Sequence, residues 1–435
     1  MQQCPDLVVL GGGSGGLLAA KRAASYGACV VVCEPDALGG TCVNRGCVPK
    51  KMLWQTARHW TERTGLKEAT ETTIGDLRFD RLMSQIGGHI SSLQDTFAAE
   101  LEEAGITLIR AKGYLTDTQA VRIDDDVLKP GRVLLATGAK PNVIDIPGAG
   151  LLSLSDDVFR WTTLPQSLVV VGGGYIGAEF ASIFSALGVK VTVVQSGERL
   201  LPGFDADAVA VVTDILGRRG VDLRFETTPT AVQAMDNGLT MELSDGVRVE
   251  AERMVCAIGR QANLAALGPG APDMAKGESG ALSVSDDFET SRAGVYAIGD
   301  VADRLPLTPV ATRDGEVFAD RAFGDGAEPI QLLHVARAAF TLPAVAQVGD
   351  LSGSSWSHET GSLANPILSP CIEPDNLAKT PTRDQALVGA ALVGNTAPEL
   401  IAPLAALVAA QEGSAAPLKD ATAIHPSFSE EFVGR

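Results

Sequence analysis

Two segments of this chain repeat one pattern, in which an aliphatic run leads into a glycine-rich turn and then into a small-residue stretch. In the first copy, Leu7–Leu10 precedes the turn Gly11–Gly16, and Leu17–Ser25 follows it. A second aliphatic run, Cys29–Cys33, ends at Glu34. This order predicts a buried parallel strand, a helix and a second parallel strand, joined by a turn that requires glycine.

The glycines of the first turn have separate geometric tasks in such a unit. Gly11 suits the tight turn, Gly13 the close approach of a pyrophosphate, and Gly16 the contact between helix and strand. Ser14 lies in the same turn, and Glu34 stands about where a carboxylate accepts hydrogen bonds from an adenosine ribose. Because strand, helix and terminal acid accompany the glycines, the segment is predicted to bind a dinucleotide.

The second copy begins at Leu168–Val171 and continues through a turn, a helix to Leu187 and a strand at Lys190–Val194. The glycines at the corresponding turn positions are Gly172, Gly174 and Gly177. Two such units in one chain predict two bound dinucleotides and electron transfer between cofactors.

The end of the second copy departs from the pattern. Gln195 stands where an acid would bind the ribose hydroxyls of NAD, and Ser196 follows where an arginine could bind a 2′-phosphate. Arg199 is nearby, but Pro202 occupies the other candidate basic position. The sequence leaves NADH and NADPH both open.

Two cysteines, Cys42 and Cys47, lie five positions apart in the glycine-rich stretch Gly39–Lys51. Pro49 suits the first position of a helix, which places Cys47 beside the helix N-terminus. There the positive end of the helix dipole and the lysines that follow would stabilise a thiolate. The stretch therefore indicates redox chemistry.

Two other interpretations of this pair are packing in the core and half of a zinc site. Zinc sites usually repeat a close pair of ligands elsewhere in the chain. The other five cysteines are scattered singly: Cys4, Cys29, Cys33, Cys256 and Cys371. We therefore favour a redox pair and expect no metal site.

The composition bounds the class of protein. The chain has 435 residues, of which 45% are hydrophobic and 20% charged, as is ordinary for a soluble enzyme of several domains. A net charge of −18 argues against nucleic acid or an anionic membrane as the main partner. Seven irregularly spaced cysteines, no signal-peptide pattern and no transmembrane-length apolar run favour a reducing compartment, the cytoplasm.

With these motifs in hand, the chain resembles the flavoprotein pyridine nucleotide-disulfide oxidoreductase family, and within it the glutathione reductase type. Gly39–Lys51, with Gly40 and Thr41, resembles the redox-disulfide signature. Four further motifs carry the resemblance: Ala136–Gly138 near the FAD, including Thr137 and Gly138; Tyr296–Asp300, whose Asp300 would hold the ribityl chain; Ile258–Arg260, closing the pyridine-nucleotide domain; and His425–Glu430 near the C-terminus.

The resemblance implies an α/β fold with two Rossmann-like dinucleotide-binding domains and a C-terminal α+β dimerisation domain. The implied boundaries are 1–140 for the first part of the FAD-binding domain, 141–263 for the NAD(P)-binding domain, 264–328 for a segment returning to the FAD, and 329–435 for the interface domain.

The resemblance also implies a mechanism that uses FAD and either NADPH or NADH. Electrons would pass through the flavin to a Cys42–Cys47 disulfide, with Cys47 next to the flavin and Cys42 attacking the substrate disulfide. His425 would manage the proton and Glu430 would orient its imidazole. Because this C-terminal element enters the partner's site in the family, a homodimer with shared active sites is implied.

Three more residues have roles implied by the resemblance. Lys50 and Glu179 would form an ion pair beside the flavin ring, and Tyr175 would cover the flavin and move aside for nicotinamide. The ordinary alternatives are a surface lysine, a helix glutamate and an aromatic residue at a helix start.

The substrate residues fit the resemblance less well. Lys21 and Arg22 could meet a carboxylate of a small-molecule disulfide, glutathione disulfide being the first candidate. However, Glu316 stands where glutathione reductases carry an arginine, and Phe97 stands where a tyrosine often lines the pocket.

Two alternatives remain open at this point. Gln195 and the segment Gly177–Glu179 lean slightly toward a dihydrolipoamide dehydrogenase-like enzyme, and a flavoprotein redox sensor with low turnover is also possible. The segment 350–383 departs from the family, and the usual pair of long strands is expected to be shortened to Ala386–Gly394.

Overall fold

The structure is a computed structural model and describes residues 4–65, 75–116, 120–270, 273–328, 331–352, 358–360, 377–383 and 386–410. Within these residues there are eight α-helices: α1 (Ser14–Ser25), α2 (Gly40–Arg45), α3 (Cys47–Gly65), α4 (Phe79–Glu103), α5 (Tyr175–Ala186), α6 (Ala206–Arg218), α7 (Thr308–Phe323) and α8 (Ala397–Ala409). None of these helices has both the length and the apolar character that crossing a bilayer requires.

The same residues form short strands: β1 (Leu7–Leu10), β2 (Val30–Cys33), β3 (Thr107–Ile109), β4 (Gly113–Leu115), β5 (Val121–Ile123), β6 (Asp126–Leu128), β7 (Arg132–Leu135), β8 (Ala139–Pro141), β9 (Ser153–Leu154), β10 (Ser167–Val171), β11 (Lys190–Val194), β12 (Asp222–Arg224) and β13 (Pro229–Met235). The others are β14 (Gly238–Leu243), β15 (Arg248–Ala251), β16 (Arg253–Cys256), β17 (Arg260–Ala262), β18 (Val295–Ala297), β19 (Arg337–Ala339), β20 (Val345–Gly349), β21 (His358–Thr360), β22 (Leu377–Lys379), β23 (Thr382–Arg383), β24 (Ala386–Leu387) and β25 (Gly389–Val393).

The described residues divide between two compact units. The first takes its residues from Met1–Lys50, Arg81–Asn142 and Arg260–Ile330. The second takes its residues from Lys51–Asp80, Val143–Gly259 and Gln331–Arg435.

The first unit is built on a five-stranded parallel sheet with strand order β18-β7-β1-β2-β3. Every residue of β1 and β2 is buried, as expected for central parallel strands covered on both faces. The predicted strand at Leu7–Leu10 is confirmed. The helix that follows begins at Ser14 rather than Leu17, because the extended Gly13 is its N-cap and the last glycines of the turn are already helical.

The second unit holds another five-stranded parallel sheet, of order β12-β11-β10-β16-β9, with α5 following β10. The predicted strand Lys190–Val194 is confirmed as β11. The α/β fold with two Rossmann-like units is therefore present, one parallel sheet in each compact unit.

An antiparallel sheet of order β19-β20-β25-β22-β21 also belongs to the second unit. Helix α8 packs on it through a core that includes Leu392, Ile401 and Leu404. Within Ala386–Gly394 the structure has a two-residue strand, β24, and a five-residue strand, β25, that lies in the middle of this sheet. Much of the atypical segment 350–383 lies outside the described residues.

Candidate active site

The first glycine turn is closed against neighbouring backbone at two positions and open at the third. A Cβ on Gly11, whose φ is +114°, would lie 2.3 Å from the carbonyl oxygen of Ala136. A Cβ on Gly16 would lie 2.1 Å from the carbonyl oxygen of Gly11. The nearest atom to a Cβ on Gly13 is 3.8 Å away, so this side of the turn leaves room for a ligand beside the N-terminus of α1.

Glu34 is held at the end of β2 by hydrogen bonds to both of its carboxylate oxygens. Gly12 N–H donates to Oε2 at 2.7 Å, and Asp36 N–H donates to Oε1 at 2.9 Å. The side chain is buried. A carboxylate fixed beside the turn in this way is placed to accept hydrogen bonds from the hydroxyls of a ribose.

Polar groups at two further strand ends of the first unit support a dinucleotide site. The hydroxyl of Thr137, just beyond β7, is buried and has no hydrogen-bond partner among the described residues. Its neighbour Gly138 has a φ of +66°, and a Cβ there would meet nothing within 4 Å. A buried unpaired hydroxyl is costly, and a polar ligand would pair it. Burial raises the pKa of Asp300, while the charge of Arg260 acts in the opposite direction.

The redox segment is attached directly to this turn. Gly39 N–H donates to the carbonyl oxygen of Gly12 at 2.8 Å, and a Cβ on Gly40 would lie 2.8 Å from the Cα of Gly13. The peptide groups that lead into the cysteines therefore lie against the glycines that face the dinucleotide.

The two cysteines lie in consecutive helices, on either side of the short connection between them. The sequence predicted that Cys47 lies at a helix N-terminus, and Cys47 is the first residue of α3. Cys42 lies in α2, a short helix that the sequence did not predict. Pro49 is the third residue of α3 rather than the first. The reason for tolerating it is unchanged, because the first N–H bonded within this turn is that of Lys50, to Gly46 at 3.0 Å.

Three helix N-termini meet at the two sulfur atoms. The hydroxyl of Thr308, the first residue of α7, lies 3.5 Å from the Sγ of Cys47. The same hydroxyl and that of Ser14, the first residue of α1, hydrogen-bond with Cys42. With Cys47 beginning α3, the dipoles of three helices point their positive ends at the pair, an arrangement that favours negative charge on sulfur.

The Cys42 thiol nevertheless holds its proton tightly. Its hydrogen bond with Cys47 and its burial raise the pKa of Cys42, whereas the hydrogen bonds from Thr308 and Ser14 lower it. The raising effects are larger, so the reduced pair needs a base to release a thiolate from Cys42 at neutral pH.

We expect Thr308→Val to slow the alkylation of Cys42 in the reduced enzyme. Losing this hydroxyl removes a donor that stabilises the thiolate, and an increase of half a pKa unit lowers the thiolate fraction roughly threefold. The measurement is the rate of iodoacetamide modification of the Cys42 peptide between pH 7 and 10. Thr312→Val is the matched control, since the Thr312 hydroxyl bonds the carbonyl of Thr308, one turn earlier in α7. Equal rates of Cys42 modification in the two variants would show that the Thr308 hydroxyl does not stabilise the thiolate.

Thr308 was not among the site residues expected from the sequence. The local signal is Pro309, which takes the second position of the helix that Thr308 begins. What the sequence lacks is any local sign that this helix start, 261 residues after Cys47, points at the cysteines.

Arg260 lies in the first unit, on β17, which pairs with β8. Its Nη2 donates to the carbonyl of Ala139 at 2.8 Å and to the hydroxyl of Thr41 at 3.3 Å. The resemblance implies a residue that closes the pyridine-nucleotide domain, whereas the structure shows Arg260 contacting the redox segment. Thr41 thus links α2 to this strand.

The second glycine turn reproduces the hydrogen bond of the first. Gly173 N–H donates to Oε1 of Gln195 at 2.8 Å, as Gly12 N–H does to Glu34. A Cβ on Gly172 or on Gly177 would lie within 2.5 Å of a backbone oxygen. A Cβ on Gly174 would meet nothing within 4 Å. The residues of this turn therefore fit a second dinucleotide.

Tyr175 and Glu179 occupy different environments on α5. Tyr175, the first residue of the helix, is 45% exposed. Glu179 is buried, and its Oε1 accepts a hydrogen bond from Phe340 N–H at 2.8 Å. Glu179 is thus no ordinary solvated glutamate of a helix surface. Lys50 is half-buried in the first unit, and its pairing with Glu179 remains a prediction.

The four candidate substrate residues each have a partner within the first unit. Lys21 forms an ion pair with Glu100 at 2.5 Å, and Arg22 forms one with Asp320 at 2.5 Å. The hydrogen bond from Arg22 holds the pKa of Asp320 below its usual value. For the other two, Glu316 pairs with Arg313 at 3.1 Å, and Phe97 packs against the core of the unit.

Two predicted residues, His425 and Glu430, lie outside the described residues. Across the part of the chain that the structure describes, no three His, Cys, Asp or Glu side chains are grouped so that they could hold a metal ion.

Comparison with known proteins agrees with this geometry. The model of a family described as pyridine nucleotide-disulphide oxidoreductase matches residues 5–315. Proteins named glutathione reductase from Burkholderia cepacia and from Nostoc sp. are each 33% identical to this chain, over 98% of it and over 97% and 98% of their own lengths. A dihydrolipoyl dehydrogenase from Bacillus subtilis is 31% identical over 79% of this chain and 77% of its own length.

Proposed function

Because the chain belongs to the pyridine nucleotide-disulphide oxidoreductase family, we propose that it reduces a low-molecular-weight disulfide, glutathione disulfide or that of a related thiol. As a member of this family it is an oxidoreductase that uses FAD and NAD(P)H. The observation that carries the proposal is the Cys42–Cys47 pair at three helix N-termini, directly against a dinucleotide turn.

The residues described above fit FAD in the first unit. The turn Gly11–Gly16 would hold its pyrophosphate, Glu34 its adenosine ribose, and Asp300 its ribityl chain, while Thr137 and Gly138 would border it. When bound, FAD supplies two-electron transfer between NAD(P)H and the cysteine pair.

The disulfide exchange itself is carried out by the chain. In the reduced pair, the Cys42 thiolate attacks one sulfur of the substrate, forming a mixed disulfide and expelling the first thiolate product. The Cys47 thiolate then attacks the sulfur of Cys42, expelling the second product and re-forming the Cys42–Cys47 disulfide. The hydroxyls of Thr308 and Ser14 hydrogen-bond with Cys42 and stabilise its negative charge.

The raised pKa of Cys42 makes a proton acceptor necessary. We assign this task to His425, with Glu430 orienting the imidazole, and we infer that a partner subunit supplies this element in a homodimer with shared active sites. His425 would take the proton of Cys42 and give it to the departing thiolate.

Roles near the flavin ring are proposed for three residues. Lys50 and Glu179 would form the ion pair that stabilises negative charge on reduced flavin, and the exposed ring of Tyr175 would cover the nicotinamide side. The burial of Glu179 supports a fixed position for it.

The domain assignment follows the same proposal. Residues 1–140 and 264–328 would form the FAD-binding part, 141–263 the NAD(P)-binding domain, and 329–435 the dimer interface. The cysteine content, which lacks the spacing of a secreted disulfide framework, supports the cytoplasm as the location.

A neutral disulfide such as lipoamide is the second candidate, and one observation favours it. Glutathione disulfide carries four carboxylates, and a site for it needs available cations. Lys21 and Arg22 are each already paired with a carboxylate, of Glu100 and Asp320. A carboxylate of the substrate would have to compete with these partners.

Turnover of a matched substrate set tests the proposal. The purified FAD-loaded enzyme should reduce glutathione disulfide at least about tenfold faster, in kcat/KM, than lipoamide, cystine or lipoic acid. Faster turnover of lipoamide than of glutathione disulfide would support the second candidate. Slow turnover of every disulfide, with FAD bound and the cysteines reducible, would favour a redox sensor.

A further inference from the structure

The end of β11 distinguishes this chain's second dinucleotide site from its first. Both sites place one side chain against the turn through a glycine N–H, but the side chain is a carboxylate at Glu34 and an amide at Gln195. The amide is neutral, with Oε1 bonded to Gly173 and Nε2 donating to the carbonyl of Arg199 at 3.4 Å. Because Oε1 retains a second lone pair and Nε2 a second hydrogen, Gln195 can pair with two neighbouring hydroxyl groups.

Acidic groups lie beside Gln195. The backbone N–H of Glu226 donates to the carbonyl of Gly197 at 3.1 Å, and that of Thr227 donates to the carbonyl of Gln195 at 3.1 Å. Glu226, whose side chain is exposed, therefore lies next to Gly197. Glu198, which follows Gly197 in the chain, is exposed as well. Glu226 has a φ of +52°, a conformation that costs glutamate more than it costs glycine or asparagine.

Two basic residues close to Gln195, one in the same loop and one on the neighbouring strand, have their side chains directed elsewhere. Arg199 donates from Nη1 to the carbonyl of Phe204 at 3.3 Å. Arg224, on β12, donates from Nε to the carboxylate of Asp222 at 2.8 Å. The stretch from Gln195 to Glu198 contains no arginine or lysine. A phosphate dianion beside Gln195 would thus lie in the neighbourhood of two exposed acidic residues, Glu198 and Glu226, while Arg199 and Arg224 already donate to other oxygens rather than presenting a fork to the phosphate.

We propose that this site selects NADH over NADPH, with Gln195 binding the unmodified ribose diol and Glu226, assisted by Glu198, opposing a 2′-phosphate. The inference rests on the proposed function, since it names the electron donor of that reaction. It concerns residues of the second unit alone, and its test contains no disulfide. If the enzyme failed to reduce glutathione disulfide, the proposed preference for NADH would therefore be unaffected.

Binding of the adenosine halves of the two nucleotides tests the proposal directly. The oxidised, FAD-loaded full chain is titrated calorimetrically with ADP-ribose and with 2′-phospho-ADP-ribose. ADP-ribose should bind at least about tenfold tighter. Higher salt should narrow the difference, because screening weakens repulsion between exposed charges. Equal affinities, or tighter binding of the 2′-phosphate form, would overturn the proposal.

Three variants separate the contributions of the residues. Glu226→Gln should narrow the preference several-fold by strengthening 2′-phospho-ADP-ribose binding alone, and Ser196→Arg should reverse it by adding a phosphate-binding fork. Gln195→Leu should weaken ADP-ribose binding at least about tenfold, since one amide makes both ribose contacts. Asp236→Asn, an exposed acid in the turn between β13 and β14, is the control for charge and should change neither affinity. An unchanged preference in Glu226→Gln, or unchanged ADP-ribose binding in Gln195→Leu, would exclude the role of that residue.

Discussion

Cys42→Ser should lower the rate of disulfide reduction at least about a thousandfold while leaving FAD binding and oxidation of NAD(P)H intact. A serine hydroxyl cannot take part in thiol–disulfide exchange, so neither the mixed disulfide nor the re-formed pair is possible. The dinucleotide turn should be unaffected, because the backbone bond from Gly39 to Gly12 does not involve the cysteine side chain. Steady-state turnover and anaerobic titration with NAD(P)H measure the two parts.

The two sulfurs should behave differently, which gives the experiment its second readout. In Cys42→Ser, the remaining Cys47 thiolate should produce long-wavelength absorbance beside oxidised FAD. In Cys47→Ser, Cys42 should still be able to attack substrate once, and the enzyme should accumulate as a mixed disulfide visible by mass spectrometry. Cys4→Ser, at an exposed cysteine, is the control and should keep full activity. More than a tenth of normal activity in Cys42→Ser would contradict the exchange mechanism.

Arg304→Met should lower the free energy of unfolding by about 3–5 kcal/mol, a larger loss of stability than we expect from any of the other substitutions. The Asp314 carboxylate in α7 is fully buried, and Arg304 binds both of its oxygens, at 2.7 and 3.1 Å. Removing the guanidinium leaves a buried charge without its counter-ion. The loop that carries Asp300 is held to α7 by this pair, so the variant should also release FAD more readily.

The loss should depend on pH in a definite direction. Burial raises the pKa of Asp314, an effect that hydrogen bonding and charge from Arg304 oppose. Without Arg304 the folded-state pKa lies further above the unfolded value of about 3.9. Below the unfolded value the buried Asp314 of the variant is protonated and uncharged, and this protonation stabilises the folded state. The stabilisation is lost as pH rises through the folded-state pKa. Arg304→Met should therefore be closer to the wild type at pH 4 than at pH 8.

Urea unfolding at both pH values measures this difference. Arg313→Met is the matched control: Arg313 is also in α7 but is paired at the surface with Glu316, and its loss should cost under about 0.5 kcal/mol. Arg304→Met combined with Asp314→Leu should recover part of the stability, because it removes the buried charge. A loss below about 1 kcal/mol in the single variant, or one that does not change with pH, would contradict this account.

Local pattern was enough to predict the two parallel sheets and their glycine turns. The aliphatic runs that became β1 and most of β10, Leu7–Leu10 and Leu168–Val171, are uninterrupted, and a buried parallel strand needs little more than that. A helix N-terminus close to Cys47 was likewise predictable, because proline and glycine restrict the backbone locally, although α3 begins at Cys47, two residues before the predicted first position at Pro49.

The sequence could not predict which charged residues would already be paired. The partner of Lys21 is Glu100, 79 positions away, and that of Arg22 is Asp320, 298 positions away. The contact between Arg304 and Asp314 is closer in sequence, but burial of Asp314 depends on how α7 packs against α1 rather than on its neighbours in the chain. Such contacts decide whether a cation is available to a substrate, and local periodicity carries no information about them.

The hydrogen bond from Gly39 to Gly12 has a consequence for how such an enzyme can change. If the peptide group of Gly12 in the nucleotide turn moved, this hydrogen bond would move Gly39 at the start of the cysteine segment with it. A movement of Gly39 would in the same way displace the nucleotide turn. Cofactor affinity and the spacing of the two sulfurs therefore cannot be adjusted separately by substitutions here. Among related chains, sequence differences should be concentrated in side chains that reach the site from other parts of the fold. The backbone conformation from Gly11 to Cys42 should change little from one chain to the next.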